Sequence, residues 1–285
     1  MARELRRALR VAYEAWDAED FDTAAGALAE VVTLPGGDQR RYWFDLALAH
    51  KFRRDWSAAR SAGLAAASHG VKSEGDPTWW NLGIAATALR DWVLARQAWR
   101  GYGIDFDEGD GPIDADLGLT PIRISGRYAP EVVWARRLCP ARAELVSVPL
   151  PDSGRHWGEV VLHDGVPNGM RQWEGRSCPV FDEIELFEPS DTPTFSVRLD
   201  AAKDDIEALI DRFLHAGWGV EDLADVRMLC ASCSEGDVDA SHDHERGEAG
   251  QVLIAAPSDR VTSTLADWRS VDPAGRHHGE VDRVL

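Results

Sequence analysis

The chain has 285 residues, long for one domain and comfortable for two, and its 44% hydrophobic content supports real cores. Its 49 acids against 31 bases give a net charge of −18, which repels DNA, RNA and anionic membrane surfaces and suits a basic partner. No apolar run reaches the length of a membrane span, and four cysteines are too few for a disulfide scaffold. The N-terminal Met1-Ala-Arg-Glu-Leu-Arg-Arg leads into an amphipathic helix carrying Glu14, Asp17, Glu19 and Asp20, not into an apolar signal segment. A cytoplasmic protein is therefore expected.

Residues 20–92 hold an internal repeat. It is visible as Asp20-Phe21, Asp55-Trp56 and Asp91-Trp92, each followed by an alanine-centred helix. Upstream, Trp43-x-x-Leu46-Ala47 returns as Trp79-x-x-Leu82-Gly83. A fixed period of this kind is the mark of stacked helical hairpins, so residues 1–34 and 41–103 read as hairpins broken by Pro35-Gly-Gly37 and Ser73-Glu-Gly-Asp-Pro77. Asp76 is placed to cap the next helix, with Pro77 in its first turn.

This repeat resembles the tetratricopeptide (TPR) family. In the third unit Trp79, Leu82, Gly83, Ala95 and Trp99 fall on the family pattern, although Ala86 and Tyr102 depart from it. The second unit keeps Trp43, Leu46, Ala47, Ala59 and Ala66 but has Gly63 for the aromatic, and the first keeps Ala12, Ala24, Leu28 and Val31. The resemblance covers about the first 105 residues. It implies a TPR-like array over 1–104 and the binding of a protein or peptide partner. Candidate docking residues on the array are Tyr42, His50, Arg53 and Trp80.

Residues 105–119 read as an acidic linker. The run Ile104 to Asp116 superficially suggests a calcium loop, but Asp110 stands where the turn glycine belongs and no Glu closes it. From 120 to 192 short β-branched segments alternate with Pro/Gly/Asp/Ser clusters, which predicts a small antiparallel barrel or sandwich. Residues 193–270 predict a small α+β unit, with strands at Phe195–Leu199, Val226–Leu229 and Gln251–Ala255 and helices at 204–213 and 262–268. Residues 271–285 read as a loose tail.

Cys230-Ala-Ser-Cys233 followed by His242-Asp-His244 is the sharpest chemical signal. Two thiolates and two imidazoles within fifteen residues match a tetrahedral zinc set, so Cys230, Cys233, His242 and His244 are expected to hold a structural zinc. His-x-His is tighter than a finger spacing, which leaves Asp243 or Glu245 as a substitute ligand. A redox reading needs the Cys-x-x-Cys to open a helix, and no helical pattern follows Cys233.

His156, Glu159, His163 and Asp164 form a weaker cluster, read as loop-end histidines. No Walker loop, dinucleotide fingerprint, nucleophile elbow or zincin motif occurs, and no catalytic residue is assigned. The composite expectation is a multidomain α plus β adaptor with a zinc-stabilised C-terminal region. One alternative is an acidic inhibitor or immunity-type protein against a basic toxin or nuclease. Another is a zinc-dependent hydrolase with Glu235 or Glu245 as base and the array as docking module.

Overall fold

The computed structural model describes residues 2–70, 74–125, 130–173, 175–236 and 244–285. Contacts divide the chain into two units, Met1–Ala115 and Asp116–Leu285.

The first unit is a run of helices: α1 (Ala2–Asp17), α2 (Phe21–Thr33), α3 (Arg40–Phe52), α4 (Trp56–Ser68), α5 (Pro77–Ala88) and α6 (Trp92–Tyr102). The turns inside the three hairpins are the same turn. Asp20, Asp55 and Asp91 cap α2, α4 and α6 at φ/ψ of −83/77°, −83/77° and −82/76°. Their side chains accept the N–H of Thr23, Ala58 and Leu94 at 3.1, 3.2 and 3.2 Å, so each satisfies a helix-start donor that has no partner within the helix. The preceding residues, Glu19, Arg54 and Arg90, all sit left-handed at φ 57°, 57° and 58°. The period read from the sequence is thus a period of the backbone. Asp91→Ala is expected to cost about 1 kcal/mol of stability, measured as a lower urea midpoint, while Asp91→Asn keeps most of it.

Packing follows the same period. Ala24, Ala59 and Ala95, each four residues beyond its cap, are fully buried or nearly so. Small residues at these places let helices approach closely. Two such approaches join α5 and α6: an added Cβ would lie 2.6 Å from the Trp99 ring at Gly83 and 2.4 Å from the Trp79 ring at Gly101. Polar ties link the helices of successive hairpins: Tyr13 donates to Asp45 at 2.6 Å and Lys51 to Asn81 at 3.0 Å.

Residues beyond α6 depart from the linker expectation. Arg96 donates to the carbonyls of Asp107 (2.7 Å) and Gly111 (2.8 Å), and Arg100 pairs with Asp105 and Glu108. Ile113 is buried. Two arginines on one helix face strap the acidic stretch to α6, which a reading of composition alone misses.

The second unit begins with a closed barrel of five strands: β1 (Leu119–Ile124), β2 (Glu131–Cys139), β3 (Arg142–Leu145), β4 (Val160–Trp173) and β5 (Arg176–Glu188). Each strand runs antiparallel to the next. Because an odd number of alternating strands closes the ring, β1 meets β5 in parallel, Ile122 opposite Phe181. Alternate residues fill the interior, as strand geometry requires: Ile122 and Ile124, Val133 and Ala135, Ala143 and Leu145. Between barrel and sandwich, the structure is a barrel.

A four-stranded sheet follows, ordered β7-β8-β6-β9, from β6 (Thr194–Asp200), β7 (Gly219–Asp222), β8 (Gln251–Ala255) and β9 (His277–Arg283). Helices α7 (Lys203–His215) and α9 (Ser258–Val271) cover one face through Leu209, Phe213, Val261, Leu265 and Trp268. On the other face Leu253 and Ala255 pack on Val148, with Leu150, Trp157 and Leu223 around them.

Two sequence expectations fail here. Val226–Leu229 is no strand and retains only an isolated bridge from Arg227 to Arg246; the strand is β7, immediately before it. Gly219 permits this, since a Cβ there would strike the Trp157 ring at 2.5 Å. The loose tail is also wrong: β9 pairs with β6 from Phe195↔Arg283 to Asp200↔His277 and completes the sheet. Its side chains are mostly exposed, so it lacks the apolar alternation that marks a strand in sequence. Among the described residues no helix is long and apolar enough to cross a membrane.

Candidate functional site

A cleft of about 520 Å³ opens inside the second unit, in the size range of small-ligand sites. Its walls come from the start of β2, the Ser147–Ser153 segment, Arg171 and Gln172 of β4, Glu221 of β7, and residues 225–229. The segment after β3 is held tightly. Val146 and Ser147 both donate to the Trp134 carbonyl, and a 3-10 turn at Pro151–Ser153 is closed by the Ser153 hydroxyl on Leu150 O at 2.7 Å.

Two carboxylates from different strands bond to this segment. Glu131, opening β2, accepts the Leu150 N–H at 3.0 and 3.2 Å from its two oxygens. Glu221 on β7 accepts from the Val148 N–H and the Ser147 hydroxyl. Burial pushes Glu131 up to about 7, and the neighbouring Glu221 charge pushes the same way. Burial likewise raises Glu221 to about 7, against its hydrogen bonds and with help from Asp225 and Asp222.

Trp134 and Leu150 give the cleft apolar surface. Trp134 lies 5.7 Å from Trp173, a ring that is 39% exposed. Arg171 lines the wall but is occupied, donating to the carbonyls of Cys233 (3.4 Å) and Ser234 (3.2 Å). Two carboxylates that titrate near neutrality in a partly apolar cleft can bind a cation or exchange a proton. The sequence reading passed over Glu131 and Glu221. The only local signal is an acid directly joined to an apolar strand stretch, Glu131-Val-Val-Trp and Val220-Glu221.

The cysteine–histidine region is partly described. Cys230 is exposed and caps the short helix α8 (Ala231–Glu235), so the Cys-x-x-Cys does open a helix, contrary to expectation. The reason is tertiary: Arg123 and Arg171 both donate to the Ser234 carbonyl and Met170 N–H to Gly236 O, which supplies partners for the end of a helix with little propensity of its own. Cys233 is buried and His244 half-buried, while His242 lies outside the described residues. Among the described residues no group of three or more His, Cys, Asp and Glu is placed to hold a metal.

His163 is no loop-end residue. It is wholly buried on β4, 5.5 Å from the Phe181 ring, and burial together with nearby Arg137 holds it down at about 3, hence neutral. His156 instead bonds the Thr192 carbonyl, so the two histidines serve different places.

The four candidate docking residues of the array also separate. Tyr42 is buried in the first unit's core beneath the Arg41 guanidinium, which corrects its assignment to a docking surface. Trp80 packs edge-on against Trp99 and Tyr102. His50 lies 3.1 Å from Arg53, and Arg53 donates to Asp22 at 2.5 Å near the surface. Tyr13, 39% exposed, forms with Arg41 and Asp45 a polar and aromatic patch that the sequence reading did not select. No family model matches this sequence, and no curated protein matches it significantly.

Proposed function

We propose that this chain is a protein-interaction protein, an adaptor whose TPR-like array docks a segment of a partner while the acidic second unit offers a separate recognition surface. The observation that carries the reading is the hairpin turn repeated three times with one backbone geometry. Regular hairpin arrays of this kind expose an extended surface whose side chains are free to vary for recognition. The patch of Tyr13, Arg41 and Asp45 between α1 and α3 is the place on that surface assigned to the partner.

Charge is unevenly divided. Residues 1–115 carry 14 Lys and Arg against 18 Asp and Glu, whereas residues 116–285 carry 17 against 31. That concentration favours a basic partner for the second unit, and it is also what an inhibitor of a basic protein requires.

A photo-crosslinking residue at Arg41 of the full chain, expressed in the cell of origin, tests the docking assignment. It should trap one discrete protein, and the same group at the exposed Val93 on α6 should not. Equal trapping from both positions, or none from Arg41 while positions in residues 116–285 trap a partner, would reject the array as the docking element.

A further inference from the structure

We propose that the cleft beside β2 and β7 is a binding site for a small organic cation, an amine or guanidinium seated between Glu131 and Glu221 with its apolar body against Trp134 and Leu150. The proposal is independent of the helical array.

The first argument is the missing countercharge. Other carboxylates in this unit have arginine partners: Glu183 with Arg155, Asp182 with Arg123, Glu144 with Arg136 and Asp205 with Arg276. Glu131 and Glu221 are half-buried as those are, yet form no ion pair among the described residues. Two carboxylates beside each other in a site of low polarity repel, and a cation placed between them removes that cost. Among the described residues no basic side chain is paired with either carboxylate. Asp152 in the Pro151–Ser153 turn, Asp222 at the end of β7 and Asp225 in the turn after it add negative charge. Arg171 on β4 donates to backbone carbonyls, and Arg227, which also lines the cleft, is exposed and forms no ion pair with either carboxylate among the described residues.

The second argument is the shape of the remaining wall. Trp134 lines the same cleft as the two carboxylates, and its ring packs 5.7 Å from that of Trp173. Aromatic faces attract ammonium and guanidinium groups, and more strongly where water is excluded. Carboxylates beside an indole select a cation that has a carbon body, in preference to a bare metal ion. The volume of about 520 Å³ accommodates such a molecule. The same chemistry is carried by a free amine and by a lysine or arginine side chain of a peptide.

Titration calorimetry on the full chain tests this with n-butylguanidinium, n-butylammonium and uncharged n-butanol. The two cations should bind one to one at pH 8 and n-butanol should not. Binding should weaken at least about tenfold at pH 5.5, where both carboxylates are protonated and the ligands keep their charge. Glu131→Gln and Glu221→Gln should each weaken it about tenfold or more at pH 8, with folding checked by urea midpoint. The pH series on the parent chain reads the same point without a substitution. Acetyl-Gly-Arg-Gly-amide binding more tightly than n-butylguanidinium assigns the cation to a peptide; the reverse assigns it to a free small molecule. Three results would overturn the proposal: n-butanol binding as well as the cations, unchanged binding in both Gln variants, or no binding of either cation at pH 8.

Discussion

Glu221→Gln should stabilise the protein at pH 8 relative to its parent, by a margin that shrinks as the pH falls to 4.5. The glutamine amide keeps the oxygen that accepts from Val148 and Ser147 but carries no charge. The sign follows from linkage. A carboxylate raised in the folded state from 4.5 to about 7 binds more protons folded than unfolded between those pH values, so folding loses stability as pH rises through that window. A shift of that size corresponds to about 3 kcal/mol, and coupling to Glu131 means the two groups do not add. The difference between variant and parent should therefore grow by about 3 kcal/mol from pH 4.5 to pH 8. Paired urea titrations at the two pH values measure it. A difference that stays constant would show that Glu221 is well solvated, and the cleft would lose its electrostatic character.

Two helical glycines should respond to alanine in opposite directions. Gly26 on α2 is exposed and a Cβ there meets nothing within 4 Å, so Gly26→Ala removes backbone freedom from the unfolded chain and should stabilise by about 0.5–1 kcal/mol. Gly83 on α5 has the same propensity gain available, but its Cβ would lie 2.6–2.7 Å from three atoms of the fully buried Trp99 ring. Trp99 cannot swing aside in a packed core, so Gly83→Ala should cost about 1–3 kcal/mol. Urea midpoints of the two variants decide it. If Gly83→Ala is neutral, α5 and α6 are not held at the separation described, and the close-packed hairpin is incorrect.

The first unit was legible because its information is short in range. An Asp capping the next helix, alanines at the contact positions and a Pro in a first turn each act within four residues, and the same local chemistry recurs at 20, 55 and 91. The β-rich character of the barrel was legible from its β-branched segments, but not the length of its last two strands: β4 runs through the Gly/Pro/Asn-rich stretch 163–169, and β5 begins at Arg176. The sheet's last strand was not: β9 exposes most of its side chains and is held by its backbone pairing with β6, which no side-chain pattern reports.

Tertiary structure alone decided the rest. It buried Tyr42 and left Tyr13 at the surface, because the side a helical residue presents depends on which neighbouring helix covers it. It made a short helix from the Cys-x-x-Cys by lending its C-terminal carbonyls to Arg123 and Arg171, residues from distant strands. It also placed Glu131 and Glu221, ninety positions apart in sequence, on one four-residue segment. A carboxylate's chemistry is set by what removes its water and which charges lie near it, and strand pairing between remote parts of the chain arranges both.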